Sequence, residues 1–182
     1  MIVHTLFPST VCFFELGRDL TKKEMSFIMK QKQKPNEGNK TSVNSNLLES
    51  KTLKNLNRFI EDSFEQYAKN ILRIKDNVSL NITQSWANYT QKGEFHHKHN
   101  HSNSFLSGVF YVRVEEDMDQ IMFFKEGYSQ VKLESRDFNV HNSDSWFFTV
   151  KSNQLAIFPS SLTHMVPPTD TEERVSISCN TF

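Results

Sequence analysis

The chain has 182 residues, among them sixteen Phe but only five Gly and five Pro, and 21 basic residues balance 21 acidic ones. That length suits one domain with a sizeable core, and the composition excludes collagen-like and low-complexity architectures. Zero net charge supplies no global field for nucleic acid or an anionic membrane, so no nucleic-acid partner is evident.

Cys12 and Cys179 have no CxxC spacing. A disulfide framework and a thiolate zinc site are therefore unsupported, while one disulfide stays open. No segment reaches the ~18 apolar residues of a membrane span, and Met1 to Thr10 has no basic region leading into a long apolar stretch. These features predict a soluble cytoplasmic protein. They are compatible with an oligomer, and no internal repeat is visible.

In chain order, Ile2 to Phe7 is apolar, ends at Pro8 and predicts a short strand. Thr21-Lys22-Lys23-Glu24 has the form of a capping box and is followed by Met25, Phe27, Ile28 and Met29, which predicts a short helix. Residues 31 to 47 are polar and predict a loop. Ser50 then stands as the N-cap of a long helix whose stripe is Leu53, Leu56, Ile60, Phe64, Tyr67 and Ile71. Such a stripe ordinarily covers the domain's own sheet.

After Asp76 the period changes to two. Val78, Leu80 and Ile82 alternate with polar residues, and the same parity carries Gln84, Trp86 and Asn88, so these are expected on one inward face. Further strands are predicted near 94–101, 105–114, 120–125, 145–151, 154–158, 163–166 and 173–181. Eight short strands without intervening helices make an antiparallel sandwich or barrel, the strand number of a jelly roll. The predicted fold is mainly β with flanking helices. One domain spans 1–182, with an N-terminal strand and supporting helices over 1–76 and a jelly-roll core over 77–182.

Four of the seven histidines lie in Glu94-Phe95-His96-His97-Lys98-His99-Asn100-His101. On a strand, His97, His99 and His101 share one face and His96 points the opposite way. Neighbouring same-face imidazoles sit close enough to bind one ion, and imidazole suits Fe, Zn, Cu or Ni rather than Mg or Ca. A second apolar strand, Leu155 to Phe158, closes at Pro159 and is followed by His164, which is placed to bring a third ligand from across the barrel. Arg174 stands ten residues beyond His164 and shares a strand face with Ser176. A guanidinium projecting into an apolar barrel must find an anion, and its planar fork suits a carboxylate. The plainer reading pairs it with a structural acid such as Asp170 or Glu172.

These stretches together resemble the Fe(II)/2-oxoglutarate-dependent dioxygenases, and more narrowly the 2-oxoglutarate–iron oxygenases of bacteria and phages. The resemblance is carried by Leu6-Phe7-Pro8, Ser85-Trp86-Ala87-Asn88, His99-Asn100-His101, Ser107-Gly108-Val109-Phe110-Tyr111, Phe158-Pro159-Ser160-Ser161-Leu162-Thr163-His164 and Arg174-Val175-Ser176. It implies a double-stranded β-helix and an oxygenase using Fe(II), 2-oxoglutarate and O2 on an unidentified primary substrate. It further implies that His99, His101 and His164 ligate iron, and that Arg174, helped by Ser176, anchors the cosubstrate. Ser107, Tyr111 and Asn88 are weaker candidates for the same pocket. The family's second ligand is a carboxylate, whereas here His101 stands in that place and leaves the site one charge more positive. His97-x-His99 is the alternative register. Three imidazoles also suit a cupin-type metalloenzyme without 2-oxoglutarate, or a non-enzymatic jelly-roll module with a structural metal. Residues 31–47 and 126–144 are expected on the substrate side, with Lys125, Tyr128, Lys132, Arg136 and His141 as polar groups and His141 at the surface.

Overall fold

The computed structural model describes residues 1–127, 131 and 133–182. Among them the N-terminal part supplies β1 (Cys12–Glu15), α1 (Lys22–Met29), β2 (Gln33–Pro35), β3 (Lys40–Ser42) and α2 (Lys54–Asn70). There follow β4 (Ile82–Gln91), β5 (His96–His99), β6 (Leu106–Arg113), β7 (Gln120–Phe124), β8 (Ser145–Thr149), β9 (Gln154–Pro159), β10 (His164–Val166) and β11 (Glu173–Thr181).

The strands form two antiparallel sheets, ordered β1-β9-β6-β11-β4-β3-β2 and β5-β10-β7-β8. The eight strands β4 to β11 thus divide four and four between facing sheets, which is the jelly roll read from the sequence. Among the described residues no helix is long and apolar enough to cross a membrane.

Period-two alternation sorts the central strands between two cores. Leu106, Phe110 and Val112 of β6, with Val175 and Ile177 of β11, face Leu56, Ile60, Phe64 and Tyr67 of α2. The stripe therefore covers the domain's own large sheet from Leu53 to Tyr67, whereas Ile71 lies past the end of α2 and is exposed. Val109 and Tyr111 point the other way, into a second core with Ile121, Phe123, Ala156 and Phe158 between the sheets.

Gly108 lies where α2 presses on β6. A Cβ there would stand 2.9 Å from Phe64 Cζ and 3.0 Å from Cys179 Sγ. Gly108→Ala is expected to cost about 1–3 kcal/mol by overpacking. A urea melt would read this as a lowered midpoint, partly restored by adding Phe64→Leu.

Helix α1 begins with the capping box the sequence announced. Thr21 N–H donates to Glu24 Oε2 at 2.8 Å and Glu24 N–H returns to Thr21 Oγ1 at 3.2 Å. Arg18 grips both carboxylate oxygens of Glu24 at 2.8 and 2.9 Å and holds its carboxyl down to about 2.

Several elements depart from the expectations. Ile2 to Phe7 is not a strand, and its apolar side chains are exposed; the N-terminal strand is Cys12–Glu15, which finds an edge on β9. Ser50 caps a single 3-10 turn over Lys51–Leu53, and α2 starts at Lys54. Residues 31–47 contain the β2–β3 hairpin, which lies against β4 as the edge of the large sheet. An edge hairpin needs little apolar patterning, which is why a polar segment hid it. Both cysteines are free.

Strand β4 begins at Ile82, four residues later than Val78, and its parity changes. Asn180 pairs with Gln84 but Thr181 pairs with Ile82, so one β4 residue is bulged out of the ladder. Leu80 and Ile82 consequently pack on the helix-side core with Ala87 and Tyr89, while Asn88 faces between the sheets. The single inward face expected for Leu80, Ile82 and Asn88 is thereby corrected. In the 126–144 segment, Tyr128 and Lys132 lie outside the described residues.

Candidate active site

The inner face of β11 carries the polar residues of the site. Arg174, Ser176 and Ser178 point between the sheets, and Val175, Ile177 and Cys179 alternate into the helix-side core. Ser176 lies opposite Tyr111 of β6 on one side and Asn88 of β4 on the other, so three polar side chains form one row across the sheet. Asn88 donates to Ser178 Oγ at 2.9 Å.

The small sheet supplies the histidines. His164 of β10 pairs directly with His99 of β5, and their ring centroids are 4.4 Å apart. His101, just past the end of β5, lies 5.0 Å from His99 and 5.3 Å from His164, ring to ring. One ring nitrogen from each of these three residues lies within 4.8 Å of the others.

Tautomers follow from the hydrogen bonds. Carbonyl oxygens only accept, so His99 Nδ1 donates to the carbonyl of His97 at 2.7 Å and His164 Nδ1 donates to that of Leu162 at 2.9 Å. Each Nε2 is then left as a bare lone pair, which is the form a metal requires. His101 Nδ1 faces the Asn180 amide at 3.3 Å, and Asn180 is held by Ser107 at 2.8 Å. As placed, the Asn180 NH2 donates to His101 Nδ1 and its Oδ1 accepts from Ser107; the same amide turned end for end would accept from His101 Nδ1–H and leave Nε2 bare.

Burial keeps these rings neutral. It pushes His164 down to about 3 and His101 to about 4, and it lowers His99 as well, with repulsion between neighbouring imidazolium charges adding to the first two shifts. The sign of the pH effect follows. Below the ordinary value near 6.5, the unfolded chain takes up protons that the folded rings refuse. Stability of the metal-free protein is thus full above about pH 6.5 and is lost as pH falls toward the folded values. Thermal melts between pH 7 and 5 are expected to show the midpoint dropping, and His164→Asn should flatten that slope.

Arg174 is 2 % exposed and packs its guanidinium 5.5 Å from the centre of the Tyr111 ring. Its Nε stands 3.6 Å from Asp119, also fully buried. That carboxylate is already engaged by Thr169 Oγ1 at 2.7 Å, Thr171 Oγ1 at 2.9 Å and the Glu115 N–H at 2.9 Å. Among the described residues, Arg174 Nε, one of its terminal nitrogens and Tyr111 Oη have no hydrogen-bond partner. Buried donors left open are costly, so the arrangement calls for an anionic ligand with several acceptor oxygens. Asn88, His96, His99, His164, Arg174 and Ser176 line one cavity, so that anion and an ion on the imidazoles would share a chamber.

A family model described as "Putative 2OG-Fe(II) oxygenase" matches residues 84–180, which contain every one of these side chains. The chain belongs to the 2OG-Fe(II) oxygenase family. It is accordingly an Fe(II)- and 2-oxoglutarate-dependent oxygenase. Solved structures of the same fold include a prolyl-4-hydroxylase from Pseudomonas putida, with a TM-score of 0.59, 11% identity and coverage of 95% of this chain and 92% of that one. HygX from Streptomyces hygroscopicus, crystallised with nickel, 2-oxoglutarate and hygromycin B, has a TM-score of 0.59, 10% identity and coverage of 95% and 82%. A prolyl hydroxylase from Trichoplax adhaerens, in complex with a hypoxia inducible factor peptide, has a TM-score of 0.56, 13% identity and coverage of 94% and 83%. No curated protein matches the chain.

The oxygenase brings together His99, His101 and His164, and sets Arg174, Ser176 and Asn88 around the adjoining cavity with Tyr111 beside the guanidinium. Ser107 is elsewhere: it bonds Asn180 and Ser160 behind His101 and does not line the cavity. His141 is exposed, as expected. The acid beside Arg174 is Asp119; Asp170 and Glu172 are exposed, and Glu172 meets Lys92.

His96 does not face away. From His164 to Val166, β10 takes two steps while β5 takes three between His99 and His96. The extra β5 residue is a bulge, and it turns His96 onto the side of His99, where the two rings stack at 4.6 Å. Asp119, Asn180 and His96 carried no usable signal in the sequence. Each acquires its place from a partner far along the chain or from that bulge.

Proposed function

We propose that His99, His101 and His164 hold the iron of this oxygenase, and that Arg174, with Ser176, Tyr111 and Asn88 around it, holds the far carboxylate of 2-oxoglutarate. The observation that carries this reading is the buried, partly unpartnered guanidinium opening onto the same cavity as His99 and His164. Iron, when bound, would supply O2 chemistry, in which 2-oxoglutarate loses CO2 and takes one oxygen atom to become succinate while the other oxygen atom enters a C–H bond of the primary substrate.

The chain's own residues bind, orient and exclude water. Nδ1–H bonds to the backbone fix the His99 and His164 rings so that Nε2 faces the site. Asn180 holds His101, and Asp119 sets the direction of Arg174. With three neutral ligands, Fe(II) and a dianionic cosubstrate sum to zero charge, so the chamber needs no further cation.

Anaerobic titration of the Fe(II)-loaded protein with 2-oxoglutarate tests the reading. A charge-transfer absorption band that saturates with cosubstrate is expected. Metal binding with no such band would favour a three-histidine enzyme without 2-oxoglutarate. A closed structural site would instead show no band and a strongly lowered melting temperature on chelation.

A further inference from the structure

The inner histidines leave His96 and His97 without a role. These two, with His99, form a second cluster in which one ring nitrogen from each residue lies within 4.8 Å of the others. His97 sits 4.7 Å from His99 and 5.2 Å from His96, ring to ring. The β5 bulge makes this possible. Strict alternation would have separated His96 from His97 and His99, whereas the extra residue gathers all three rings on one side.

The hydrogen bonds again orient lone pairs. His97 Nδ1 stands 3.4 Å from the Glu37 carbonyl, which can only accept, so its Nε2 is left free. His96 Nε2 faces the Asn36 amide nitrogen at 3.4 Å, and that amide already donates to Asn39 at 2.9 Å. An amide NH2 carries two hydrogens, so the second can donate to His96 Nε2, in a bond that at 3.4 Å is long and that an ion on that nitrogen would displace. The clusters differ in one member's burial: His96, His97 and His99 are all half-buried, as is His101, whereas His164 of the inner set is 5 % exposed; His96 also lines the chamber of His99 and His164, so the two positions are contiguous.

We propose that His96, His97 and His99 form an outer position for a divalent transition-metal ion, used in alternation with the inner one. A single imidazole nitrogen cannot ligate two ions, so sharing His99 means one ion and two places. An ion arriving from solvent is taken at the more exposed outer triad. It moves inward by exchanging His96 and His97 for His101 and His164, and His99 stays bound throughout. The ion never loses all of its protein ligands. All-imidazole coordination selects Fe(II), Co(II), Ni(II) or Zn(II) over Mg(II) and Ca(II). The outer position rests on the ligand reading above only through His99, whereas the alternation rests on the whole inner triad.

The test uses Co(II), followed by visible absorption and calorimetry on metal-free protein. His101→Ala/His164→Ala destroys the inner position and is expected still to bind one Co(II), and adding His96→Gln/His97→Gln should abolish that binding. A folded inner-site variant, checked by circular dichroism, that binds no Co(II) overturns the proposal. The complementary variant His96→Gln/His97→Gln keeps the inner triad. It is expected to bind one ion at equilibrium but to take it up measurably more slowly in stopped flow. Unchanged uptake overturns the alternation, and this arm decides the matter if the first variant does not fold. Failure of the outer position would leave the wild-type Fe(II)–2-oxoglutarate band intact. Absence of that band alongside Co(II) binding by the inner-site variant would instead remove the oxygenase ligand reading and spare the outer site.

Discussion

Arg174→Ala is expected to abolish 2-oxoglutarate turnover and the Fe(II)–2-oxoglutarate absorption band while leaving one metal ion bound. The guanidinium lines the same cavity as His99 and His164, and it is 2 % exposed. A carboxylate arriving there meets open donors on Arg174 and Tyr111, in a place where water cannot compete. Removing the side chain also strands Asp119, whose carboxylate would lose the buried cation 3.6 Å away. Breaking a buried pair from one side costs about 3–5 kcal/mol. A drop in melting temperature is thus expected with the single variant, and Arg174→Ala/Asp119→Asn should recover much of it without recovering turnover. Equal loss of metal and cosubstrate binding in the double variant would mean that Arg174 is structural.

Replacing His99 and His101 together by Ala is expected to remove iron altogether, read as metal content after anaerobic loading and desalting. His99 belongs to both histidine clusters, so its loss leaves neither complete. Stoichiometric iron retained by the folded double variant would sink the ligand assignment. His101→Ala alone separates the two positions: it opens the inner triad while His96, His97 and His99 are untouched, so residual Co(II) binding without the Fe(II)–2-oxoglutarate band is the expected outcome.

Much of this oxygenase was legible because the governing physics is local. The capping box at Thr21 and Glu24 is a four-residue pattern, and the α2 stripe is a three- and four-residue one. Period two in β6 and β11 announced strands, and it put Arg174 and Ser176 on one face without reference to anything distant. The His-x-His spacing and the Arg ten residues past His164 pointed to one constellation; the fold sets His99, His164 and Arg174 around a single chamber, with His101 beside His99 and His164.

What the sequence could not supply was every placement that depends on strand register. The histidine run from 96 to 101 set out a metal-binding face by strict alternation, but a single bulge in β5 decides which face His96 takes. A bulge near the start of β4 likewise reversed the parity that joined Leu80 and Ile82 to Asn88. Asp119 reaches Arg174 only because the segment before β7 lies against the one before β11, and Asn180 reaches His101 only across the barrel. The sequence by itself determined the eight jelly-roll strands, the histidine and arginine chemistry and the face of β11. Tertiary structure alone decided the orientation of His96, the anion beside Arg174 and the support of His101, because side-chain alternation is a property of one chain segment while register and bulges are agreements between two.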